Sequence, residues 1–142
     1  MAINDELRQL VSSRAGGSCE YFRMPEALDP LPFAIDHIRP QYHHGPTIAE
    51  NLCVCCFNGN TFKAVNVAGH DPDTGVLTPL FHPRSDDWEE HFTWDGPRLR
   101  GLTSVGRTTI DVLRMNLDER VEHRRLPMEL GVLSASSRRK PR

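Results

Sequence analysis

Apolar and polar positions recur in two rhythms along the chain, and each rhythm predicts a different element. In DELRQLVSSRAGG, the apolar Leu7, Leu10 and Val11 fall at helical spacing. Asn4 or Asp5 can cap that helix, and Gly16 stands where a C-terminal stop belongs. CEYFRMPEALDPLP holds three prolines and no period, which predicts turns. PFAIDHI places apolar Phe33, Ile35 and Ile38 around an Asp-His pair, with Pro40 closing a strand. PQYHHGPT reads as a loop, IAENLCVCC as the start of a helical or knuckle-like turn, and GNTFKAVN as a short helix.

Beyond Gly69 the pattern predicts a Pro/Asp/Gly turn and an apolar strand-like run in GHDPDTGVLTPLFHP. SDDWEEHF predicts a short helix capped by Ser85. Val105, Thr109, Val112 and Leu113 fall at helical spacing. A last helix is expected from Asp118 to about Glu129, with Pro127 interrupting or ending it. Trp88, Phe92 and Trp94 read as core, since no basic residues interleave with them as in a base-stacking surface. Asp71, Asp73 and Gly75 predict a β-turn and not a calcium loop, because no glutamate follows at the required offset. His82 and His91 could flank a second metal, but packing and hydrogen bonding are the favoured reading.

Composition narrows the class. With 142 residues, 38% hydrophobic and 25% charged, the chain suits one modest soluble domain. No apolar run reaches membrane-span length, and MAINDELRQL lacks the basic start and apolar core of a secretory signal. The expectation is a cytoplasmic protein whose cysteines stay reduced.

The formal net charge of −2 does not announce a nucleic-acid binder, but its distribution is uneven. Residues 1–49 carry four basic and six acidic groups, residues 50–97 two and eight, and residues 98–142 eleven and five. The excess is sharpest in SASSRRKPR, a tail that could track phosphates or simply keep the terminus solvated.

The candidate chemistry sits between Phe33 and Lys63. Asp36 and the Asn60 carboxamide are hard oxygen donors of the kind Mg²⁺ accepts. A neutral His37 beside such an ion could take a proton from water, general-base work worth about 10²–10⁴-fold. A hydrogen-bonded structural pair is the rival reading of Asp36 and His37.

The order IDHIRP, GPT, ENL, a cysteine and then N..K resembles the HNH endonuclease motif. The flanks RAGGSCEYFRMP and GHDPDTGVLTPLFHPRSDDWEEHFTWDGPRLRGLTSVGRTTIDVLRMN extend the likeness to bacterial stand-alone HNH proteins across most of residues 14–116. The resemblance implies an α+β fold with a ββα-metal, treble-clef-like core, an N-terminal helix and a mainly helical C-terminal extension. It implies a single domain over residues 1–133, with motif core 14–69 and extension 70–133, followed by a flexible basic tail at 134–142. The implied activity is metal-dependent hydrolysis of DNA phosphodiesters, with RNA left open as substrate. His37 matches the general base, and Asp36 and Asn60 match the ligands of Mg²⁺, Mn²⁺ or another divalent ion. Asn51 matches the central asparagine, which holds the loop and helps orient the histidine. Arg39 and Lys63 stand near enough to touch phosphate. Ala34 departs from the pattern, standing where many relatives have a polar or acidic residue.

Many HNH proteins of this kind brace the motif with two CxxC pairs around zinc. Here Cys19-Glu-Tyr-Phe22 and Cys56-Phe-Asn-Gly59 each keep the first cysteine and lack the second. The favoured account is a zinc site replaced by packing, with Phe22 filling the space and Cys19 and Cys56 left as vestiges. A second account recruits Cys53, Cys56 and Cys19 with His43 or His44, and a third pairs Cys19 with Cys56 as a disulfide. Two rival functions follow. One is a catalytically silent HNH-like fold that binds nucleic acid or protein, and the other is a structural zinc module.

Overall fold

The computed structural model describes residues 3–133, so the basic tail expected at 134–142 lies outside the described residues. Five helices and six strands follow one another as α1 (Asp5–Ala15), β1 (Ala34–His37), β2 (Leu52–Cys55), α2 (Phe57–Lys63), β3 (Ala68–His70), β4 (Leu77–Pro79), α3 (Trp88–His91), β5 (Phe92–Asp95), β6 (Arg98–Gly101), α4 (Ser104–Val112) and α5 (Asp118–Glu129). Each strand pairs with its neighbour in sequence, giving three two-stranded antiparallel sheets in a mixed α+β arrangement. Among the described residues no helix is long and apolar enough to cross a membrane.

Two-stranded ribbons are marginal alone, so their stability must come from a shared core. One apolar cluster supplies it, joining Tyr21, Phe22 and Met24 of the first long loop to Cys53 and Cys55 of β2, Phe81, Trp88, Phe92, Leu99 and Leu113. Trp88 ties the two halves of the chain together, its indole donating to the Tyr21 carbonyl at 2.9 Å. Phe92 and Trp94 pack with Trp88 at centroid distances of 5.1 and 6.0 Å, the aromatic core that the sequence suggested.

Helix α1 starts on Asn4, whose Oδ1 accepts from the Leu7 amide at 2.8 Å, and stops at Gly16 in the left-handed region (φ 65). Its inward face differs from the expected stripe. Val11 and Ala15 are buried, whereas Leu10 is exposed. Arg14 settles that orientation by donating from Nη2 to the carbonyls of Ala49 and Leu52, both at 2.8 Å, which docks α1 against the end of β2.

Three further expectations are corrected. Cys53, Val54 and Cys55 belong to strand β2 and not to a knuckle, and Glu20 lines its free edge: the Glu20 amide donates to Val54 O, and the Val54 amide to Glu20 Oε2. Ser85 does not cap a helix; the preceding turn is closed by Asp86 Oδ2 accepting from the His82 amide, and α3 begins only at Trp88. Residues 70–133 are less helical than expected, since β5 and β6 form a hairpin turning at Gly96 (φ 57). Pro127 does lie inside α5, but in its last turn, where only one helical bond is forfeited.

The DPDTG segment forms a tight turn as expected. Asp71 Oδ1 accepts from the Asp73 amide at 2.9 Å, and Gly75 takes a positive φ of 76. The same carboxylate receives Arg107 of α4 through two bonds, Nε at 3.1 Å and Nη2 at 2.8 Å. These bonds from Arg107 hold the Asp71 carboxyl well below the usual carboxylate range. A depressed carboxyl stabilises the fold above its unfolded pKa and loses that contribution as pH falls through its native value. Asp71→Asn should therefore lower Tm at neutral pH, and the gap from wild type should narrow as the pH drops below 3.8. Thermal melts across pH 2–7 measure this, and a gap independent of pH would refute the pairing.

Candidate hydrolytic site and a buried thiol cluster

The antiparallel pair β1–β2 sets Asp36 opposite Cys53 and His37 opposite Leu52. Beyond His37 the ladder continues through side-chain chemistry. Asn51 Oδ1 accepts from the Arg39 amide at 2.8 Å, while Nδ2 donates to Arg39 O at 3.0 Å and Pro46 O at 2.8 Å. The buried Asn51 thereby gathers both ends of the intervening loop, the holding role expected of it. Gly45 makes the loop possible, because a Cβ there would sit 1.7 Å from the Arg39 carbonyl oxygen.

His37 ends β1 half-buried, and its Nε2 lies 2.9 Å from Thr47 Oγ1 in that loop. Asp36 points the other way along the strand period, into the protein. There Lys63 Nζ meets Asp36 Oδ2 at 3.0 Å and donates to His37 O at 3.1 Å, and Cys53 Sγ stands 3.9 Å from the same carboxylate oxygen. Burial raises the Asp36 carboxyl pKa, and the charge and hydrogen bond of Lys63 pull it back down. Lys63 corrects the sequence reading: it is 1% exposed and anchors β1 to α2, so it is not a solvent-facing phosphate contact. Arg39 is exposed and keeps that option. Asn60 is half-buried one turn before Lys63, on the same face of α2.

A carboxylate and a carboxamide are hard donors of the kind a divalent cation accepts, and in this structure the cation at Asp36 is the Lys63 ammonium. Thr47 was missed in the sequence, where a loop threonine carries no signal of its partner. His43, His82 and His91 are engaged elsewhere. His43 Nε2 meets Val65 O at 2.8 Å, His82 Nδ1 accepts from the Arg84 amide at 3.1 Å, and His91 Nδ1 meets Thr103 Oγ1 at 2.6 Å.

A second cluster lies at the C-terminal end of β2. The Sγ atoms of Cys19, Cys55 and Cys56 all fall within 4.8 Å of one another. Cys19 Sγ accepts from the amides of Phe22 (3.4 Å) and Cys56 (3.2 Å), and Cys56 Sγ from that of Gly59 (3.3 Å). The two half-pairs seen in the sequence thus converge, with Phe22 and Gly59 packed against the thiols. The third thiol was not anticipated, for it comes from Cys55. Cys53 stands apart beside Asp36, and His43 and His44 are exposed, so the alternative set built on them is not assembled. All four cysteines are free thiols, and the expected alternative of a Cys19–Cys56 disulfide is not formed. Hydrogen bonds from Cys19 and Cys55 draw the Cys56 thiol down to about 4. Cys19 and Cys55 are pushed up, Cys19 chiefly by burial and Cys55 chiefly by its bond to Cys19.

Comparisons of the chain with family models, with curated proteins and with solved structures found no match.

The ion pair yields a clear expectation. Lys63→Met leaves a carboxylate buried without a partner, and should cost about 3–5 kcal/mol. Asp36→Asn with Lys63→Met should fall within about 1 kcal/mol of wild type, since removing both charges relieves desolvation. The Asp36 pKa is raised, so ionisation opposes folding: its favourable contribution is full below 3.8 and is lost as pH rises through the native value. The Lys63→Met penalty should accordingly shrink in acid. Urea unfolding of the three variants at neutral and acid pH measures this, and a pH-independent penalty would contradict it.

Proposed function

We propose that the chain is a metal-dependent endonuclease of the HNH type, hydrolysing DNA phosphodiesters at His37. The observation that carries this reading is the succession β1–β2–α2. That unit carries Asp36, turned inward, and His37, turned to the loop, on one strand, with Asn51 on the loop's return and Asn60 on the helix.

Within that unit each residue has a definable task. Thr47 Oγ1, 2.9 Å from His37 Nε2, fixes the ring, and in the tautomer whose Nε2–H donates to it Nδ1 is the nitrogen that takes a proton from water. Asn51 holds the backbone on both sides of the loop, so the histidine keeps its orientation during the attack. Asp36 and Asn60 would hold the divalent ion, which supplies neutralisation of the charge that builds on the phosphate. Arg39, exposed beside the Asn51 clamp, is the cation placed to meet the scissile strand.

The basic C-terminal segment contributes less to this than its charge count suggests. Arg107 is held by Asp71, Arg120 by Asp29 and Arg125 by Glu122, while Arg124 is buried and Arg114 lies over the Phe62 ring. Among the described residues, Arg98 and Arg100 remain exposed, and the basic tail lies outside the described residues.

A second reading, a silent HNH-like module that binds nucleic acid or protein, is favoured by one feature: Lys63 already neutralises Asp36. Nicking of supercoiled plasmid separates the two. The nuclease reading expects cleavage in Mg²⁺ or Mn²⁺, abolished by chelator and lowered about 10²–10⁴-fold by His37→Ala. Thr47→Val should lower the rate about 10–100-fold with little change in stability, as loss of a residue orienting a catalytic group does. DNA retained on a filter without cleavage in either metal, by a protein with a cooperative melt, would establish the binding module instead.

A further inference from the structure

We propose that Cys19, Cys55 and Cys56 form a three-thiolate site for a soft, three-coordinate metal ion of the Cu(I) class. The inference stands apart from the nuclease reading, since no step of hydrolysis uses these residues.

Geometry comes first. The three sulfurs arrive from different elements, Cys19 from the loop after α1, Cys55 from the end of β2 and Cys56 from the residue that caps α2. All three residues are 0% exposed, with Sγ atoms within 4.8 Å of one another. Thiolates around one ion at bonds of about 2.3 Å would lie about 4 Å apart, so little movement is needed.

A tetrahedral zinc fits poorly. The cluster includes no histidine or carboxylate, and the two positions from which a fourth ligand would come are Phe22 and Gly59. That space is filled. A Cβ on Gly59 would lie 2.9 Å from the Phe22 ring, 3.0 Å from Cys55 Sγ and 3.3 Å from Cys56 Sγ. Three soft donors in a closed apolar shell favour an ion content with three thiolates, as Cu(I) is.

Charge balance gives an independent argument. Arg124 is 2% exposed, yet none of the ion pairs among the described residues includes it. Its Nη2 donates to Met115 O and Asn116 Oδ1, while Nε and Nη1 are buried with no hydrogen-bond partner. A buried guanidinium of this kind needs an anion nearby. Three thiolates on a monovalent ion carry a net charge of minus two, and Arg124 is a buried cation with no carboxylate among the described residues paired to it. The thiol protons still held by Cys19 and Cys55 leave to solvent as the ion binds.

The test uses the full chain, reduced and kept anaerobic, titrated with Cu(I) against the chromophoric chelator bicinchoninate and, separately, with Zn²⁺. One Cu(I) per chain is expected, with X-ray absorption reporting three sulfur neighbours and no nitrogen or oxygen. Cys55→Ser should weaken binding more than about 100-fold, beyond what loss of an outer partner causes. Cys53→Ser should leave it unchanged. Phe22→Cys supplies the missing fourth thiol and should raise Zn²⁺ affinity more than about 100-fold over wild type. If Cys55→Ser fails to fold, Cys53→Ser and Phe22→Cys still decide. Surrender of Cu(I) to the chelator, equal weakening by Cys53→Ser, or wild-type Zn²⁺ binding as tight as that of Phe22→Cys would each overturn the proposal.

Discussion

The ammonium of Lys63, buried at the end of α2, reaches both the Asp36 carboxylate and the His37 carbonyl, so one cation joins the helix to the strand it covers. A charge held in so little water is costly, and the pairing with Asp36 and the bond to the His37 carbonyl offset that cost. The sheet β1–β2 has only four residue pairs, too few to hold a side chain in place by itself. With Lys63 in position, Asp36, His37 and the face of α2 that carries Asn60 move as one piece. The thiol cluster sits on the opposite edge of the same helix, where Cys56 caps its first turn. Both candidate sites therefore share α2 as their common wall.

Much of this was legible in the sequence, and the reasons are local. The alternation of Phe33, Ile35 and Ile38 before Pro40 marks β1, and Asn4 and Gly16 mark the ends of α1, because caps and breakers act within a few residues. Asn51, Asp36, His37 and Asn60 stood out by their order. Lys63 was read as a surface cation because lysine is almost always exposed, and only the fold reveals the carboxylate facing it. Cys55 was passed over because CVCC was taken as a turn; a strand would have sent Cys53 and Cys55 to the same inner face. Even then, nothing local separates the one that meets Asp36 from the one that meets Cys19. Thr47 and the β5–β6 hairpin were silent for the same reason, their partners being fixed by packing and not by spacing.

The arginines of the C-terminal half carry a related lesson. Counted along the chain they form a basic region, yet in space Arg107 is held by Asp71, Arg120 by Asp29, and Arg124 is buried with only its Nη2 bonded, to Met115 O and Asn116 Oδ1. Net charge by segment measures composition. The field a ligand meets depends on which charges remain at the surface.

The Asn51 carboxamide has one more consequence. Its paired bonds to Arg39 N and O reproduce a rung of an antiparallel ladder just past the last main-chain pair, so a side chain stands in for a strand. A loop hung from a main-chain rung can open only by unzipping the sheet. A loop hung from a side-chain rung can open by a rotamer change, leaving the four pairs of β1 and β2 closed beneath it. Residues 40–48 thus hang from side-chain bonds, Asn51 to Arg39 and Pro46 and His43 to Val65 O, and Thr47 among them gives the His37 ring a partner that is separate from the strand carrying it.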